Sequence, residues 1–77
     1  MKINVTMNDG HIFRGGFSNK SESTLEIIVP VNDDEQKKTM GELLSAKITG
    51  VYSIRENYNG DICVSLECEH IRIVEVE

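Results

Sequence analysis

The chain of 77 residues has no tryptophan, one proline, two tyrosines, two phenylalanines and two cysteines. With so few aromatics, any core must be assembled mostly from Ile, Val, Leu and Met. Two thiols are too few for the dense disulfide framework on which many small secreted domains rely. No run approaches the roughly 18 apolar residues that a membrane-spanning helix requires. The opening stretch MKINVTMNDG carries Lys2 with no continuous apolar segment behind it, so it does not read as a signal peptide. These absences lead to the expectation of an intracellular, cytoplasmic protein. Bases are also scarce, with eight Lys and Arg against thirteen Asp and Glu, for a net charge of -5. Nucleic-acid binders usually carry a basic face, because neutralising phosphates drives their affinity, and this balance argues against that role. An acidic surface suits a basic protein partner, or mimicry of a phosphate backbone.

What the chain does have is alternation. Ile3, Val5 and Met7 alternate with polar residues, as a half-buried strand requires. His11, Phe13, Gly15 and Phe17 form a second such set, and Leu25, Ile27, Val29 and Val31 a third. The outer face of the third also holds Ile28, which suggests cover on both sides, and Pro30 marks its end or an edge because proline cannot donate to a ladder. Ile48, Gly50, Tyr52 and Ile54 make a fourth, and Ile62, Val64, Leu66 and Cys68 a fifth. After Cys68 the phase slips, since Ile71 and Ile73 are followed by Val74 and Val76. The slip places a tight turn near 69–71 and a last short strand at 72–76. Between the third and fourth strands, residues 32–45 read as an acidic insertion. Thr39 and Glu42 there match a capping box, which allows one short helix over 40–45.

Register assigns the glycines of MNDGHIFRGGF, residues 7–17. A two-residue turn at Asp9-Gly10 would put the apolar sets of the two strands on opposite faces, which a buried face forbids. A three-residue loop, Asn8-Asp9-Gly10, pairs Met7 with His11, Val5 with Phe13 and Ile3 with Gly15, with Gly10 in the left-handed position. The same test on SIRENYNGDICVSL selects Tyr58-Asn59-Gly60 as the loop, with Ile54 facing Val64, Tyr52 facing Leu66 and Gly50 facing Cys68. Gly15-Gly16 then fall inside a strand, where glycine marks a bend, a bulge or a close backbone approach.

Chemical motifs are sparse. A phosphate loop needs glycines between a strand and a helix N-terminus, usually with Gly-Lys-Ser/Thr, and none occurs. Cys63, Cys68 and His70 invite a metal reading, but alternation points Cys63 away from the other two and leaves only His11 as a fourth ligand. The same alternation separates the thiols too far for a disulfide, leaving Cys68 as core and Cys63 as a free outward thiol. No base stands beside Cys63 and no oxyanion hole is marked, so no catalytic, cofactor or metal residue is assigned. The candidate partner-binding residues are the acidic groups Asp33, Asp34 and Glu35 of the insertion, Glu67 and Glu69 near the C-terminus, and Tyr58 at a hairpin tip.

VTMNDGHIFRGGF followed by LEIIV resembles the first motif of Sm-like proteins: strand, Asp/Asn-Gly turn, glycine-containing strand, third strand. AKITGVYSI looks like a degraded second Sm motif, with Ile48 and Gly50 at matching places, and VSLECEHIRIVEV looks like the end of Src-homology-type barrels. The resemblance covers about half of the chain and implies a small barrel. It does not carry the Sm uridine pocket, because SESTL stands where that family has Asp-x-x-x-Asn, and Thr49 stands where it has Arg.

The sequence therefore predicts a single domain over 1–77, mainly β: a five- or six-stranded small barrel or strongly bent antiparallel sheet. Its expected role is non-enzymatic, as a small acidic binding protein that regulates or inhibits another protein. Size and acidity suit a product of a phage or other mobile element, acting in the host cytoplasm. The alternative is an Sm-like module that binds nucleic acid or forms a ring. Homo-oligomerisation fits either, because a domain this small buries only about 60% of its unfolded surface.

Overall fold

A computed structural model describes residues 1–29 and 49–77. Pro30, Val31, the insertion with Asp33, Asp34 and Glu35, the short helix over 40–45, and Ile48 lie outside the described residues. Six strands follow in order: β1 (Lys2–Met7), β2 (Ile12–Lys20), β3 (Thr24–Val29), β4 (Val51–Glu56), β5 (Ile62–Glu67) and β6 (Ile71–Val76), with one 3-10 turn at Cys68–His70 between the last two. They form a single antiparallel sheet ordered β4-β5-β3-β2-β1-β6, strongly bent and, among the described residues, not closed.

The bend brings the inward side chains of distant strands into one core. Ile3, Val5 and Met7 of β1 meet Phe13 of β2, Leu25, Ile27 and Val29 of β3, and Val64 and Leu66 of β5. All nine are buried, as the alternation requires. The first hairpin has the expected register, with Val5 paired with Phe13 and Ile3 with Gly15, and the second has it next to its loop, where Ile54 pairs with Val64. Gly10 and Gly60 have φ of 97° and 83°, the left-handed position that closes a three-residue loop.

Three β-bulges supply much of the curvature. Each inserts one extra residue: Ser18 between the pairs Phe17–Ile27 and Asn19–Glu26, Tyr52 between Val51–Leu66 and Ser53–Ser65, and Arg72 between Met7–Ile71 and Thr6–Ile73. The bulge at Arg72, together with the 3-10 turn, accounts for the phase slip after Cys68. A close approach also contributes at Gly15, where a Cβ would lie 2.6 Å from the carbonyl oxygen of Ile28.

The bulges overturn several pairings. Tyr52 is the extra residue and points to solvent, so Val51 rather than Tyr52 faces Leu66. Gly50 is a turn residue with φ 94°, not a strand residue opposite Cys68, and its carbonyl accepts the Glu67 N–H at 2.7 Å. His11 is exposed rather than inward, and Phe17 faces the core side opposite Ile27 but is left partly exposed. Cys63, expected as a free outward thiol, is only 3% exposed. It does lie on the outer face, but in mid-sheet between Ile28 and Arg55. Alternation tells which face a side chain takes, not whether that face is covered. Cys68 packs against the core and both cysteines are free thiols.

Candidate functional site

The hairpin tips are held by side-chain oxygens that stand in for backbone acceptors. Asp9 Oδ1 accepts the His11 N–H at 3.0 Å, and Asp9 Oδ2 lies 2.8 Å from His11 Nδ1. The backbone bond first, then the imidazole contact, holds the Asp9 carboxyl below its ordinary range. At the other tip Asn57 Oδ1 accepts from the N–H groups of Asn59 and Asp61 at 2.9 and 3.0 Å. This rigid loop displays Tyr58 at 96% exposure. The expectation of an exposed aromatic at that position holds.

Glu67 and Glu69 are at the opposite end of β5 from Tyr58, so these candidates do not form one site. The 3-10 turn instead brings Glu67 and Glu69 together with His70, one donor atom of each lying within 4.8 Å of the others. Glu69 Oε1 lies 3.6 Å from His70 Nε2, and the Asn8 side-chain amide donates to the Glu69 carbonyl at 3.3 Å. Two carboxylates and an imidazole are donors that a divalent cation accepts, and among the described residues this is the one such group. It is not the Cys63, Cys68, His70 set that the sequence raised, because Cys63 faces away and is buried.

The outer face of β3, β4 and β5 carries a polar bracket. Glu26 accepts from Ser18 Oγ at 3.0 Å and Ser65 Oγ at 3.4 Å, and pairs with Arg55 at 3.3 Å. It ties four neighbouring strands, β2, β3, β5 and β4, together at the surface.

An apolar concavity is on the other side, at the end of the core beside β6. It is a cleft of about 390 Å³ with Ile3 and Leu25 as its buried floor. Met1, Phe17, Cys68 and Ile71 form one part of the wall, and Val74 and Val76 of β6 the other. Four of these, Met1, Phe17, Val74 and Val76, are among the large apolar side chains left exposed on the surface. Among the described residues Lys20 is the one charged side chain of the lining. It belongs there because the Ser18 bulge reverses the alternation, so that Lys20 pairs with Leu25 on the core side. The sequence reading did not find this cleft: alternation treats Val74 and Val76 as core, and nothing local shows that the core runs out above them.

Nothing matches this chain among family models, curated proteins or solved structures.

Proposed function

We propose that this is a non-enzymatic binding protein, a regulator or inhibitor that acts by contacting another protein. The observation that carries this reading is the cleft: exposed apolar side chains gathered on one partly uncovered end of the core, in an acidic molecule. Contiguous exposed apolar surface is a mark of interaction sites, and depletion of charge at its centre is the pattern of an interface core. The acidic balance of the chain, with Glu75 within β6 and Glu77 after it, and Tyr58 at its separate tip, would select a basic partner and speed encounter. The insertion with Asp33, Asp34 and Glu35 is a second candidate contact on charge alone. A phage or mobile-element origin suits the size and acidity, and a nucleic-acid-mimicking role would draw on the same charge.

Affinity capture with the full chain from its native host tests this. The expected result is one protein retained at moderate salt, with affinity lowered at least tenfold by Val76→Glu and by the joint change of Asp33, Asp34 and Glu35 to Ser. If neither variant changes the affinity, both contact assignments fail. The Sm-like alternative expects a ring by light scattering and binding of single-stranded RNA that weakens steeply with salt. A monomer that ignores RNA at low salt would remove it.

A further inference from the structure

We propose that β6 is a docking edge that accepts one extended strand of a protein partner, apolar on its cleft-facing side and basic on the other. This rests on the binding role above and specifies its mode. β6 is the last strand of the sheet next to β1, with its second side unpaired among the described residues. The register identifies which backbone groups are free. Glu77 N–H donates to the Lys2 carbonyl at 2.9 Å, and antiparallel ladders alternate bonded and non-bonded pairs. Glu75 and Ile73 therefore bond to β1, while the N–H and C=O groups of Val74 and Val76 point outward. The same two residues pair with Val5 and Ile3, which places their side chains on the core side, in the wall of the cleft. One stretch of chain thus offers both ladder hydrogen bonds and a cavity for alternate side chains, the two components of recognition by strand addition.

Charge selects the occupant. Glu67 and Glu69 precede β6, Glu75 lies within it and Glu77 follows, and Arg72 is the only Lys or Arg from 67 to 77. Glu75 pairs with Asn4 on the outer face, beside Ile73, which pairs with Thr6. A docked strand therefore meets apolar walls on one side and carboxylates on the other. A second copy is a poor fit. Two-fold antiparallel pairing of β6 with itself through the outward groups of Val74 and Val76 sets the Glu75 carboxylates of the two copies opposite or diagonal to one another on one face, and like charges in apposition oppose association.

The test uses the full chain and fluorescently labelled peptides of alternating Val and Lys, with a Val and Glu peptide of equal length as control. The Val–Lys peptide is expected to bind at least tenfold more tightly, and to slow amide exchange at Val74 and Val76. Val74→Pro removes a donor that β1 does not use and trims one side chain of the cleft wall, so it is expected to leave the circular dichroism spectrum unchanged and to weaken the peptide at least tenfold. Val76→Glu is the second variant, acting on the cleft wall without touching the ladder, with the same expectation. Equal affinity for both peptides, no binding at low salt up to about 1 mM peptide, or unchanged exchange at Val74 and Val76 on binding would each overturn the proposal. So would a concentration-dependent dimer in the free protein with those two amides already protected, which would make a second copy the occupant. A host protein captured equally by wild type and Val74→Pro would reject the docking edge and leave the binding role standing. Peptide binding without any host partner would do the reverse.

Discussion

Individual residues determine how tightly this sheet folds on itself. Gly15 sits where β2 passes over the Ile28 carbonyl, and a Cβ there would meet backbone, which cannot swing aside. Gly15→Ala is expected to lower stability by about 1–3 kcal/mol, the usual cost of overpacking, read by urea denaturation. Gly50 combines positive φ with a Cβ position 2.7 Å from Met7 Cε and 2.9 Å from His70 Cβ. Gly50→Ala is expected to cost more than Ala in place of Gly10, whose Cβ position is open. Asp9 gives the pH dependence. Its carboxyl is held low in the folded state, so its contribution is complete above the ordinary carboxylate range and fades as pH falls through the lowered value. An NMR titration is expected to show the His11 amide shift moving with the Asp9 carboxyl below the ordinary midpoint of an aspartate, and Asp9→Asn to abolish that step. The two thiols differ as well. Cys68, partly exposed, is expected to react with a thiol reagent in the native protein, and Cys63 only at the rate of opening.

At the scale of elements, much of the sheet was legible. Two hairpins were read by asking which loop length keeps both apolar sets on one side, and that test is strong because a slip of one residue reverses every side chain. The bulges were not legible, because an extra residue leaves no local mark beyond a break in phase. After Cys68 the break was visible, since four apolar residues could not be reconciled by one alternation. At Ser18 and Tyr52 it was not, because Phe17 and Tyr52 happened to extend the apolar pattern. Those two errors concealed the candidate site: moving Lys20 to the core side and leaving Phe17 half out creates much of the cleft's mouth. The candidate residues chosen for charge fared unevenly. Glu67 and Glu69 converge on His70, which no strand periodicity announces, and Tyr58 stands alone at its tip. Leu66 tests the element at its centre, as it is fully buried and pairs with both Leu25 and Val51. Leu66→Ala is expected to cost about 2–5 kcal/mol by denaturant titration, enough to threaten folding of so small a domain.

The chain is acidic, and its core, built without tryptophan, is not fully roofed among the described residues. Small size limits the surface that folding can bury, so a partner that covers the cleft adds stability by linkage as well as by contact. Thermal melting of the protein with saturating Val–Lys peptide is expected to shift upward by several degrees, and to return to the free value when salt screens the carboxylates.

The two margins of the sheet are unlike. β6 presents Val74 and Val76 with free backbone groups, whereas β4 carries the bulge at Tyr52, which twists that margin out of a straight line. A ribbon grows into a fibre only if each added unit leaves behind a fresh edge like the one it used. Among the described residues β4 does not repeat the β6 edge, so addition at β6 leaves no equivalent place to add, and an irregular second margin of this kind works against end-to-end growth.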